Sequence, residues 1–172
     1  MSKRPDATEA AEYYFLYIDQ VVDGDILETL KAQEGEVMEL LGGIGDDASL
    51  LRYAADKWSI REVVNHMSDT ERLFVFRAFW FARGFDTPLP GFDQNIAASA
   101  AAADSRSWRN LVLEFQAVRS SSRAFFESLA PEAWGRRGIA SEKPFSVNAL
   151  AYLTAGHVAH HVKILREKYL HA

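Results

Sequence analysis

Four stretches of the chain repeat apolar residues at the three-and-four spacing of an α-helix, each with one broad hydrophobic face. The first covers residues 25–41, with Ile26, Leu27, Leu30, Val37, Leu40 and Leu41 apolar, and stops at Gly42-Gly43. The second begins at Ser59, an N-cap with Glu62 three residues on as a capping box, and runs to Arg83, before Gly84 and the turn Pro88-Leu89-Pro90-Gly91. Its buried face is Ile60, Val63, Val64, Met67, Phe74 and Phe81. The third starts at Asp104 or Ser105, carries Trp108, Leu111, Val112, Phe115, Val118, Phe125, Phe126 and Leu129, and ends before Pro131. The fourth covers 147–169 behind Ser146 as its N-cap. A long connection over 86–103, with a short helix at 97–103, joins the second to the third, and a loop over 131–145 precedes the fourth. No strand–helix–strand alternation interrupts this order. The pattern predicts an all-α four-helix bundle with a long crossover connection. At 172 residues, a single domain spanning 1–172 accounts for the chain.

Composition changes this picture mainly by exclusion. A hydrophobic share of 48% with 25% charged residues is that of a soluble globular protein. The net charge of −5, with no long Lys/Arg cluster, argues against nucleic acid as a partner. No apolar run approaches the ~20 residues that span a bilayer, so no membrane is expected. Met1-Ser2-Lys3-Arg4-Pro5-Asp6 is not followed by an apolar h-region, which places the protein in the cytoplasm by expectation. The chain has no cysteine, so any thiol chemistry must bring its sulfur on the substrate. Phe76, Phe79 and Trp80 point away from the buried face of the second helix. Three kinds of cover suit them: the N-terminal Tyr13, Tyr14 and Phe15, the crossover loop, or a second copy in a homodimer.

Three of the five histidines fall within five residues, in His157-Val158-Ala159-His160-His161. Residues four apart share a helix face, so His157 and His161 offer two imidazoles from adjacent turns, while His160 sits at the edge of that face. Both lie on the apolar seam with Val147, Leu150, Leu153, Val158, Ile164 and Leu165, where an unpaired polar group costs about 1–3 kcal/mol. A metal ion satisfies both rings at once; two core histidines bonded to backbone carbonyls or water satisfy the same pattern. His171 is next to the last residue and is set aside as terminal. His66, at the flank of the second helix on a line with Thr70 and Arg77, is the candidate third ligand. Three histidines with an open fourth position describe a catalytic rather than a structural site. Glu62 and Asp69, one turn to either side of His66, are candidates to orient it; as solvated surface carboxylates they have no such role.

Taken together, several strings resemble the DinB superfamily, whose members include bacillithiol- and mycothiol-dependent transferases. They are Tyr14-Phe15-Leu16-Tyr17-Ile18, Gly24-Asp25-Ile26-Leu27, Lys57-Trp58-Ser59-Ile60-Arg61-Glu62-Val63-Val64-Asn65-His66, Asp69-Thr70-Glu71-Arg72, Pro88-Leu89-Pro90-Gly91-Phe92-Asp93-Gln94-Asn95 and the terminal His157 to His161. Trp-Ser-x-x-Glu ahead of a helical His, with a C-terminal His-x-x-His-His, is the specific part. The resemblance covers nearly the whole chain. It implies an antiparallel-type bundle with a long crossover and three histidine metal ligands, which carry over to His66, His157 and His161.

The resemblance further implies a metal that activates a low-molecular-weight thiol for attack on an electrophilic small-molecule substrate. Three neutral imidazoles leave a divalent ion its positive charge, so it can deprotonate a bound thiol or lower the pKa of a bound water. The sequence leaves open sulfur or water, and zinc, nickel or iron. Asp93 in the crossover is the candidate general base, and Arg77 the candidate contact for an acidic substrate or a thiol's carboxylate. A surface ion pair of Arg77 with Glu71 or Asp69 suits the sequence equally. Two other classes remain: a hydrolase that activates water at the metal, and a non-catalytic, metal-stabilised dimeric binding module. A ferritin-like di-iron site is disfavoured, because it needs Glu-x-x-His pairs on two helices and Glu62 stands four residues before His66.

Overall fold

Each main helix begins where a short polar side chain accepts the first free amide hydrogens. The structure, a computed structural model, describes residues 3–170, so His171 lies outside the described residues. A short turn of helix, α1 (Phe15–Ile18), precedes α2 (Ile26–Gly42), which is capped by the Asp25 carboxylate. Helix α3 (Ile60–Ala82) starts behind the reciprocal Ser59–Glu62 capping box. Then follow α4 (Gln94–Ala101) behind Asp93, α5 (Trp108–Glu127) behind Ser107 and α6 (Val147–Ile164) behind Ser146. The chain continues past α6 in a wider π-type turn, Leu165–Leu170.

Three boundaries differ from the sequence expectation, each for a local reason. The crossover helix starts at Gln94 because Asp93 supplies its cap. Helix α5 starts at Trp108 because Asp104 and Ser105 form a separate tight turn, Ala103–Ser105. There the Asp104 carboxylate accepts from the Ser59 hydroxyl and from Arg52, so it pins the start of α3 instead of opening α5. The expected loop over 131–145 contains a hairpin, β1 (Arg137–Ala140) paired antiparallel with β2 (Lys143–Ser146). Its two-residue turn puts Ser141 and Glu142 in the left-handed region, with φ of 50° and 61°. Such turns usually announce themselves by Asn-Gly, and Ser-Glu gives no such signal. Gly138 fits this hairpin against α3, since a Cβ there would lie 2.0 Å from the Phe81 ring.

Helix directions follow from which ends share a core. One apolar cluster joins Ile26 and Leu30, Phe74 to Ala82, Phe126, and Val147 to Ala155. The other joins Val37 and Leu41, Ile60 to Met67, Trp108 to Phe115, and Val158 to Tyr169. Thus α2 and α6 run one way, α3 and α5 the other. The packed pairs are α3 with α6, α3 with α5, α2 with α5, and α2 with α6. The antiparallel neighbours implied by the family resemblance are therefore joined by two parallel pairs. The long crossover is what makes α3 and α5 parallel, because it returns the chain along the bundle before α5 begins. Helices α2 and α3 face each other across the diagonal, as do α5 and α6.

Helix α6 is buried on every side from Val147 to Val158, not along one seam only. The reason is α1, which lies on its outer face. A Cβ at Gly156 would fall 2.2 Å from the Tyr17 carbonyl oxygen, so only glycine permits that approach. On α3, Trp80 stacks on Phe85 at 4.2 Å and donates from Nε1 to the Thr87 carbonyl, so the crossover covers it. Tyr14 packs on Phe145 instead. Phe76 and Phe79 keep 48% and 39% exposure. No helix among the described residues is long and apolar enough to cross a membrane.

Between the two apolar clusters lies a polar layer centred on Arg119 of α5 and Glu71 of α3. Their side chains are 0% and 1% exposed and meet at 2.8 Å. Arg119 also donates to the Leu30 carbonyl and to Gln33 Oε1, and Gln33 Nε2 donates to the Ala155 carbonyl of α6. One side-chain network thus reaches all four long helices. Breaking a buried ion pair from one side leaves a bare charge, typically at about 3–5 kcal/mol. Arg119→Met is expected to lose stability on that scale in chemical denaturation. The Arg119→Met, Glu71→Met double variant should recover most of it, and a double variant as unstable as the single would contradict this account.

Candidate metal centre

The three histidines named by periodicity come from two helices that pack directly on each other. His66 sits in the second turn of α3, His157 and His161 one turn apart on α6. The Nε2 atom of His157 lies 3.0 Å from Nε2 of His66 and 3.1 Å from Nε2 of His161. One ring nitrogen from each residue falls within 4.8 Å of the other two. His160, on the same helix, points elsewhere: its Nδ1 meets Gln20 Nε2 at 3.3 Å, and its ring packs edge-on against Tyr17.

Convergence of three ring nitrogens raises an electrostatic problem. A neutral imidazole carries one N–H and one lone pair. The Nε2 of His157 carries either one hydrogen or one lone pair, so it can satisfy only one of the two Nε2 atoms that face it. Charging the rings is no remedy. Burial pushes the His66 pKa down to about 4. Burial and the neighbouring His66 and His160 push His161 down to about 3, and burial first, then the other histidines, holds His157 well below its usual value. A cation at the centre resolves the conflict by taking all three lone pairs. With metal–nitrogen bonds of about 2.0–2.1 Å, a tetrahedral ion sets its ligand nitrogens ~3.3 Å apart. The separations of 3.0 and 3.1 Å are close to that edge. The group could hold a metal ion.

The surroundings suit neutral ligands with one face left open. Thr70 Oγ1 lies 3.3 Å from Nδ1 of His66, where it can accept the Nδ1 hydrogen and so leave Nε2 with its lone pair. Glu62 and Asp69, the candidates for that orienting role, do not perform it. Glu62 closes the capping box and pairs with Arg52 at 2.6 Å, and Asp69 accepts from Asn65 and Arg72. Thr70 is legible in the sequence as the residue four beyond His66 on the same face, and both carboxylates are held by other partners. Trp58 packs 4.8 Å from the His66 ring, and Tyr17 and Phe74 pack 5.5 and 6.0 Å from His157. His66 and His157 form part of the wall of a cavity of about 670 Å³, which Thr70, Phe74, Tyr14, Tyr17 and Phe92 also line. His161 opens instead toward a smaller cleft of about 250 Å³ beside Trp58 and Tyr169.

Asp93 and Arg77 both line the larger cavity. Asp93 is exposed, and its Oδ1 accepts from the Asn95 and Ile96 amides at the start of α4. Arg77 is 2% exposed and pairs with neither Glu71 nor Asp69, which corrects the surface ion pair. It donates to Ser141 Oγ at 2.8 Å and to the Pro90 carbonyl at 3.3 Å. Ser141 carried no sequence signal, because the hairpin that presents it carried none.

The depressed histidines set a pH dependence for metal-free protein. The unfolded chain takes up protons near the ordinary value of 6.5, whereas folded His66 and His161 stay neutral until about 4 and 3. The unfolded state therefore binds more protons in that window, and stability falls as pH drops from about 6.5 toward 4. Each histidine contributes a slope of up to about 1.4 kcal/mol per pH unit. Urea titrations of metal-free protein at stepped pH should show this loss, and replacing His66 with Phe should flatten it. A midpoint unchanged between pH 7 and 4.5 would contradict the neutral, buried state of the rings.

Comparison with known proteins agrees with this architecture. The structure is similar to that of YfiT from Bacillus subtilis, described as a probable metal-dependent hydrolase with an unusual four-helix bundle topology. The TM-score is 0.68 at 16% sequence identity, over 95% of this chain and 91% of the other, a likeness of fold. Among curated proteins, none matches the sequence. The family model of the DinB superfamily matches residues 29–165, from within α2 to the end of α6 and across all three histidines. The chain belongs to the DinB superfamily.

Proposed function

We propose that His66, His157 and His161 hold a divalent transition metal, and that the protein is a metal-dependent transferase joining a low-molecular-weight thiol to an electrophilic small molecule. The observation that carries this reading is the convergence of three imidazoles, His66 and His157 buried and His161 half-buried, with the first two at the wall of a cavity large enough for a small organic substrate. Bound there, a divalent ion of the zinc, nickel or iron kind supplies Lewis-acid activation, lowering the pKa of a thiol or a water in its open position.

The chain's own residues do the rest. Three uncharged ligands leave the ion its full positive charge, which a carboxylate ligand would offset. Thr70 fixes the tautomer of His66. Trp58, Tyr17 and Phe74 wall the rings with apolar surface, which excludes water and strengthens charge interactions at the reacting atoms. Asp93 stands where the cavity meets solvent. With Oδ1 occupied by two amides, its Oδ2 is the atom to take the thiol's proton and pass it to water. Arg77 binds the incoming molecule away from the histidines.

A second reading has its own support: YfiT is described as a probable metal-dependent hydrolase, and the same centre serves water as well as sulfur. Cobalt-substituted protein separates the two. Thiol coordination should produce an intense sulfur-to-metal charge-transfer band in the near ultraviolet, with proton release, when cysteine, glutathione, bacillithiol or mycothiol is titrated. No band with any of them, together with ester or amide hydrolysis, would replace the transferase by the hydrolase.

The ligand set is tested by metal content after purification without an affinity tag. Each of His157→Ala, His161→Ala and His66→Ala leaves a two-ligand site: the first two should abolish tight binding, and His66→Ala should weaken it by at least ~10-fold. His160→Ala should bind as the parent does. Equal loss in all four variants, or none in His66→Ala, would remove the assignment.

A further inference from the structure

Three arginines are buried among the described residues, and they are not treated alike. Arg61 pairs with Asp46 at 2.9 Å and Arg119 with Glu71 at 2.8 Å. Arg77 has no carboxylate partner among the described residues, although it is as buried as the others. Its guanidinium meets only neutral oxygens, Ser141 Oγ, the Pro90 carbonyl and the Tyr14 hydroxyl, and its Nε has no partner. Tyr14 lies beside it with a hydroxyl that burial, the largest influence, keeps protonated, so Tyr14 does not neutralise it. A buried cation without a counter-ion is expensive unless a ligand supplies one. The cavity reaches Arg77 directly, and a strained turn builds the contact: Ser141, held at φ 50°, is the residue whose hydroxyl Arg77 meets.

We propose that Arg77, with Ser141 and Tyr14, is the binding subsite for a carboxylate at the far end of the substrate or of its thiol. A single negative charge fits better than the double charge of a phosphate, because Arg77 is the one Lys or Arg lining the cavity among the described residues and Asp93 already contributes an anion. The subsite also measures the ligand. Arg77 stands eleven positions after His66 on α3, on the order of 15 Å along the helix axis, with Thr70 and Phe74 on the wall between. This distance, though not the subsite itself, rests on reading the three histidines as the reacting centre. The substrate class is then an elongated monocarboxylate whose reactive group lies roughly a ten-carbon chain from its acid.

Two titrations test the subsite and the centre separately. In metal-free protein, 4-phenylbutyrate should bind about tenfold tighter than 4-phenylbutanol, as expected for a hydrogen-bonded charge, and tighter than phenyl phosphate. The preference over the alcohol should vanish in Arg77→Met and survive in part in Arg77→Lys, which also shows that loss is not a folding failure. No preference in the parent, an unchanged preference in Arg77→Met, or tighter binding of phenyl phosphate would overturn the proposal. In cobalt-loaded protein, 11-mercaptoundecanoate should reach the metal at about tenfold lower concentration than 3-mercaptopropionate. Arg77→Met should cancel that advantage without changing cobalt content. Carboxylate selectivity that stands while no thiol reaches cobalt supports the subsite and removes the thiol reading of the centre instead.

Discussion

The bundle is organised by one interaction, the ion pair of Arg119 with Glu71 at its waist. A charge pair so far from water is a poor source of stability compared with apolar packing. It is a strong source of uniqueness, because each helix has only one rotation and one height that satisfy it. Through Gln33 the same network holds the Ala155 carbonyl, two residues before His157. On α3, Glu71 follows His66 by five positions. The helices that present the histidines are therefore set in register by groups that never meet a substrate.

The Arg119–Glu71 network forms a polar layer across the waist, and the apolar clusters close it above and below. That separation explains how the histidines stay neutral. Burial withholds the water that an imidazolium needs, and the rings discourage charge on one another. The result is a set of lone pairs in a dry setting, arranged before any ligand arrives. Preorganisation of this kind is what a catalytic or binding centre needs from its scaffold.

Much of this was legible in the chain. Ser59 with Glu62, and Ser146, marked helix starts that the structure keeps, since caps are local chemistry. The spacing of His157 and His161 placed two rings on one face, and the apolar seam turned that face inward. What could not be read depends on contacts between distant segments. The outer face of α6 looked free in sequence because nothing there announces that α1 covers it; Gly156 makes that possible. For Arg77 the sequence left a substrate contact and a surface ion pair equally open because its helix neighbours are acidic, whereas those acids are taken by Arg119, Arg72 and Asn65. The hairpin was invisible because Ser141 and Glu142 adopt a backbone that their side chains do not favour.

The hairpin and the crossover are also tied to each other. Leu89 donates its amide to the Ile139 carbonyl, and its own carbonyl accepts from the Ser141 amide. These two connections form one wall of the cavity, while helices carry the histidines. Segments that differ this much in origin can change independently: insertions and substitutions in connecting loops disturb a helical core little. New ligand preferences can thus be engineered by recutting residues 85–93 and 138–144, with the three imidazoles and the layer beneath them left as they are. Two loops laced into a single wall make the specificity of this scaffold a replaceable part.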